Sequence, residues 1–105
     1  RMVKAKLKFK GRIIKIELEK IKGIGKFTGL ITRRNSALLF ENLGNRAIHS
    51  LFCPKFLAIW LDNNKIIEYK LINPWKFLIK PEKSFTKLIE IPINEKYDEI
   101  IKLFS

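Results

Sequence analysis

The chain has 105 residues, 47% of them apolar and 30% charged, with a formal net charge of +12. That balance excludes a disordered polyelectrolyte and bounds the protein to one domain over residues 1–105 with a modest core. No apolar run approaches the ~20 residues of a membrane-spanning helix, and a lone cysteine, Cys53, excludes an internal disulfide.

The charge is not spread evenly. Twelve of the 22 Lys and Arg residues lie in the first 34 positions, where the only acidic residues are Glu17 and Glu19. Clustered charge of one sign makes a field that scattered charge does not, and a polyanion is its natural partner. Cysteine usage and the lack of a signal-peptide order imply a cytoplasmic protein. Arg1 precedes Met2, as a trimmed or appended end would leave it. Abundant Lys and Ile with no Gln fits a thermophile, such as an archaeal source, and equally an AT-rich genome.

In chain order, Val3, Ala5, Leu7 and Phe9 alternate with Lys4, Lys6, Lys8 and Lys10. Period two is the pattern of a half-buried strand. Ile14, Ile16 and Leu18 continue it, and Lys10-Gly11 supplies a tight turn. A two-residue loop would pair Phe9 with Arg12, Leu7 with Ile14, Ala5 with Ile16 and Val3 with Leu18. The outer face then sets Lys4 against Glu17, which is favourable, and Lys6 against Lys15, which is not. Such lysines either solubilise an edge or bind an anion.

Residues 20–36 read as loop and short helix, and 36–42 as a strand with a turn over 43–46. A short strand follows over 47–53, closed by Pro54. Leu57–Leu61 and Ile66–Lys70 form a hairpin whose Asn63-Asn64 centre suits a type I′ turn. Its apolar faces predict a central position. Asn73-Pro74-Trp75 and Lys80-Pro81 are loops, and Lys87–Ile91 is a strand. Asn94 caps a short helix over 95–104, with Tyr97, Ile100, Ile101 and Phe104 on one face. The pattern predicts a mainly β fold, a small barrel or sandwich of about six or seven short strands with one or two short helices.

Chemistry-bearing motifs are sparse. Ile21-Lys22-Gly23-Ile24-Gly25-Lys26 resembles the hairpin of helix-hairpin-helix DNA-repair elements, which grips a phosphate with backbone N–H groups. The strand periodicity before it and Gly29 after it depart from that pattern. His49 and Cys53 share a strand face but stand about 13 Å apart at strand rise, too far for a dyad. No second Cys or His completes a metal site, so neither a metal nor a cofactor is expected. The carboxylates Glu41, Asp62, Glu68, Glu82 and Glu90 form no acid–base pair. Among the aromatics, Trp75 in Pro74-Trp75-Lys76 is the best base-stacking candidate, in a loop beside a charge.

Several landmarks recur in a fixed order: the basic hairpin around Gly11, Gly29-Leu30 with Arg33, and Leu38-Leu39-Phe40. The 47–54 strand, Leu57–Asp62, Glu68, Pro74-Trp75 and Leu88-Ile89-Glu90-Ile91-Pro92 follow. Over residues 3–94 this order resembles family 192 of the domains of unknown function, also called uncharacterised protein family 0127. The resemblance implies a compact β-rich barrel and carries no established activity. Bacterial members have Trp-Met-x-Asn-Thr and then Pro-Leu-Asp. Here Ile48, His49, Ser50, Leu51 and Phe52 stand in the first segment and Leu57 replaces the Asp, so that polar cluster is lost.

The sequence therefore points to binding of nucleic acid or another polyanion rather than to catalysis. The candidate contacts are Lys4, Lys6, Lys8, Lys10, Arg12, Lys15, Lys22, Lys26, Arg33, Arg34 and Trp75, with the cations on phosphates. One alternative is a module that docks an acidic protein partner or self-associates through the first hairpin. Another is a small ligand-binding or hydrolytic barrel drawing on His49, Cys53 or Glu68.

Overall fold

A computed structural model describes residues 2–21, 35–41, 54–76 and 79–104. Among them are strands β1 (Met2–Phe9), β2 (Arg12–Ile21), β3 (Leu38–Glu41), β4 (Phe56–Asp62), β5 (Lys65–Ile72) and β6 (Lys87–Pro92). They close into a barrel in the order β1-β2-β3-β6-β4-β5. β2 with β3 and β5 with β1 are parallel neighbours; the other pairs are antiparallel. The mainly β small barrel expected from strand patterning is the observed architecture.

The first hairpin has the register its periodicity dictates, from Phe9 opposite Arg12 through Lys6 opposite Lys15 to Val3 opposite Leu18. Lys10 and Gly11 take φ of 50° and 76°. Positive φ at both central residues is the type I′ signature, whose twist matches that of the strands. The β4–β5 turn departs from expectation. Of its two central asparagines only Asn63 has positive φ, at 58°, so it is not type I′. Thr86 fixes that turn instead. Its N–H donates to Leu61 O at 2.8 Å, and its Oγ1 accepts the Asn63 N–H at 2.6 Å. A register shift beside it leaves Ile67 unpaired, a bulge that takes up the remaining twist.

Leu7, Ile14, Ile16, Leu18, Leu39, Leu57, Ile59, Leu61, Ile89 and Ile91 fill the barrel interior. A second apolar layer lies on the outer face of β3, β6 and β4, where Leu38, Phe40, Phe56, Ala58, Trp60 and Leu88 meet Phe85. β4 is thus buried on both faces, as its run of apolar residues predicts, whereas the middle of β5 is only half-buried. β2 runs on to the buried Ile21, into the span expected as loop from residue 20, because its last residues pair with β3, and β3 begins at Leu38 rather than at residue 36. The rest of the expected loop and helix up to residue 34, and the expected turn and strand over 43–53, lie outside the described residues. At the chain's end Asn94 caps as expected, its Oδ1 accepting the Lys96 N–H at 3.0 Å. The helix, however, is split into a 3-10 turn (Glu95–Tyr97) and a short α1 (Asp98–Leu103). Tyr97 anchors it: its hydroxyl accepts the Ala37 N–H at 2.8 Å in the buried core.

Glu90 is the one buried carboxylate among the described residues, only 6% exposed. Its strand neighbours in the outer layer are Leu38 and Ala58. Removal from water raises its pKa from 4.5 to about 8. The folded protein therefore keeps a proton that the unfolded chain releases above pH 4.5. This contribution to stability is full below that pH and is lost as pH rises towards 8. Replacing Glu90 with Gln should flatten the fall and, at pH 7 and above, stabilise by on the order of 2 kcal/mol. Denaturant melts across pH test this; a parallel fall in both proteins would contradict it. In the first turn, a lysine at positive φ costs about 1 kcal/mol. Lys10→Asn should recover about 0.5–1 kcal/mol, read as a higher denaturation midpoint.

Candidate nucleic-acid interface

Alternation places Lys4, Lys6 and Lys8 on the outer face of β1, and Lys15 beside them on β2. All four are exposed. Along β1 the lysines recur every second residue, about 6.6 Å apart at strand rise. The register sets Lys6 directly opposite Lys15. Barrel closure then sets Lys8 directly opposite Lys65, the single paired position between β1 and β5. Like charges facing each other across strands destabilise a sheet, so this face carries repulsion that bound anions would relieve.

Lysines elsewhere are arranged differently. Glu41 accepts Lys20 at 2.6 Å and Lys87 at 3.8 Å, Glu68 pairs with Lys70 at 3.1 Å, and Asp98 with Lys102 at 3.9 Å. Among the described residues, no carboxylate is ion-paired with Lys4, Lys6, Lys8, Lys10, Lys15 or Lys65. Nearby carboxylates are few: Glu17 stands opposite Lys4, and Asp62 opposite Lys65. Two exposed apolar residues, Met2 (54%) and Ile13 (66%), border the same lysines.

Two grooves flank this strip and share Lys6. One, of about 600 Å³, lies between the hairpin and the helix, with Lys4, Lys15 and Lys96 at its rim and Tyr97 and Ile100 in its wall. The other, of about 820 Å³, lies between the tip of the first hairpin and the β4–β5 turn. Lys8, Lys10 and Lys65 rim it, Phe9 and Tyr69 line it, and Asp62, Asn63 and Asn64 form its polar side. Behind it is an aromatic cluster. Phe9 stacks on Phe104 at 4.4 Å, and Tyr69 meets both rings edge-on at 5.3 and 5.0 Å. Lys10 Nζ stands over the Phe9 ring, 5.1 Å from its centre.

The sequence-derived candidates thus divide into three groups. Lys4, Lys6, Lys8, Lys10 and Lys15 line one groove or the other, and Arg12 is exposed beside the turn. Lys22, Lys26, Arg33 and Arg34, with the Gly-Ile-Gly segment, His49 and Cys53, lie outside the described residues. Trp75 is 61% exposed, with φ of 67°, but lines neither groove. It follows the far end of β5, about 23 Å from Lys65 at strand rise. Glu68 sits on β5 opposite Trp60, with Oε1 accepting the Glu82 N–H at 3.3 Å. No group of three or more His, Cys, Asp or Glu that would hold a metal occurs among the described residues.

Lys65, Lys96, Phe9 and Tyr69 were not singled out by sequence reasoning. Lys65 joins the strip only through the parallel contact of β1 with β5, which no local pattern signals. Phe9 and Tyr69 read as core residues because each lies on an inward-facing position. Compared with known proteins, the chain matches no family model, no curated protein and no solved structure.

Proposed function

We propose that the chain binds nucleic acid or a comparable polyanion through the lysine-lined outer face of the first hairpin, without a catalytic step. The observation that carries this reading is the arrangement of the cations. Lys6 faces Lys15 and Lys8 faces Lys65, in a strip whose lysines lack carboxylate partners among the described residues. A merely solubilising edge has no need to set lysines against each other. A phosphate chain would bridge them and release counterions as it binds.

Titrating labelled single-stranded DNA, duplex DNA and RNA at increasing salt tests the proposal. With four or five phosphate contacts, log affinity should fall against log salt with a slope of about −3 to −4. The variant Lys6→Glu/Lys8→Glu/Lys15→Glu should lose at least about tenfold in affinity and most of that slope. Affinity that is indifferent to salt, or a variant that binds like the parent, would overturn it.

A second reading has its own support. β1 is hydrogen-bonded to β5 at one position only, and Met2 and Ile13 expose apolar surface beside it. A strand of an acidic partner, or of a second copy, would pair there. Light scattering that shows a dimer abolished by Ile13→Lys, with no nucleic-acid binding, would favour that reading. Membership in family 192 of the domains of unknown function is likewise proposed, on the ordered sequence landmarks. So is a cytoplasmic location, on cysteine usage. No helix among the described residues is long and apolar enough to cross a membrane.

A further inference from the structure

We propose that the groove between the first hairpin and the β4–β5 turn takes an unstacked base, so that the preferred ligand is a single-stranded nucleic acid. This rests on the polyanion reading above and sharpens it. The groove differs from the lysine strip in kind. Its lining includes the rings of Phe9 and Tyr69 and the polar side chains of Asp62 and Asn64. A carboxylate repels phosphate but accepts hydrogen bonds from the amino and imino edges of bases. Lysines that would meet phosphates and a carboxylate that would meet a base edge thus line the same groove.

The rings are arranged to receive a flat partner. Phe104 stacks on Phe9 at 4.4 Å with 25° between the planes, which fixes the ring from one side. Lys10 Nζ stands over the ring 5.1 Å from its centre. Phe9 is only part-buried, and the group over its ring is a flexible cation. A base stacking there would displace the ammonium group, which would then reach the neighbouring phosphate. The volume of about 820 Å³ is in the range of small-ligand pockets. Lys4, Lys6 and Lys8, about 6.6 Å apart in succession, match the spacing of successive phosphates along an extended single strand. A duplex keeps its bases stacked and paired, and offers nothing to fill the slot.

The test compares three labelled probes of equal charge on the whole chain at low salt. They are oligodeoxycytidine of about twelve nucleotides, an abasic oligomer of the same length, and a duplex with the same number of phosphates. Oligodeoxycytidine should bind about tenfold more tightly than either of the others. Tyr69→Leu and Phe9→Leu should erase that preference, and Tyr69→Phe should keep it. Circular dichroism confirms that each variant is folded. An oligoribocytidine arm asks whether RNA replaces DNA in the same slot, and it too should exceed the abasic probe.

Equal binding of the abasic and base-bearing probes by the parent protein would overturn the base slot and leave the polyanion reading standing. Preference for the duplex would do the same. No binding of any probe would overturn both. Because the parent protein alone decides between these outcomes, a variant that fails to fold leaves the proposal exposed to refutation.

Discussion

The barrel closes with almost no help from hydrogen bonds. Between β1 and β5 a single paired position, Lys8 with Lys65, completes the ring of strands. The remaining gap is filled by side chains: Phe9 from β1, Tyr69 from β5 and Phe104 from beyond the helix. Buried aromatic surface and edge-to-face contacts of this kind are worth about 0.5–1.5 kcal/mol per pair beyond burial. They replace the ladder that a fully paired seam would have. The short helix matters for this reason. Asn94 caps the turn before it, Tyr97 ties that turn to the Ala37 N–H, and Phe104 enters the seam.

Two consequences follow from a seam built this way. Closing it brings the tips of two hairpins together and leaves a groove between them, lined by two of the rings at the seam, Phe9 and Tyr69. It also forces Lys8 against Lys65, adding to the opposition of Lys6 and Lys15. The strain at Lys10 lies in the same place: asparagine at that position would form the turn more cheaply, yet a lysine occupies it at a φ of 50°. Repulsion and backbone strain kept together at one surface suit a site that is relieved by its ligand. The opposite side of the barrel is the packed side, with β4 and β6 buried on both faces, and Glu90 is the one buried carboxylate there among the described residues.

The parts of the fold that are legible in the sequence are those written locally. Alternation from Val3 to Leu18 fixes the first hairpin residue by residue, because a one-residue slip would turn Leu7 and Ile14 to solvent. The apolar run before Asn63 identifies β4, and Asn94 announces the cap. What the sequence hides is non-local. The parallel pairing of β2 with β3 and of β1 with β5 joins segments whose own periodicity says nothing of their neighbours. For that reason the lysine strip of β1 and β2 is readable, while its extension to Lys65 and the place of Phe9 and Tyr69 in the groove lining are not. The Asn63-Asn64 turn misleads for a related reason: Thr86, 23 residues away, sets its shape. Trp75 is exposed as its loop position suggests, but it lines neither groove.

The proposed ligand face runs from Lys4 through the first turn and across to Asn63, Asn64 and Lys65. Amide NMR of the labelled chain with added oligodeoxycytidine tests it most directly, because each residue reports separately. Shifts should concentrate in residues 4–12, Lys15 and 62–69, with little change around Trp75 or along β6. Shifts centred on 73–76 or on β6, or none at all at concentrations that saturate binding, would contradict it.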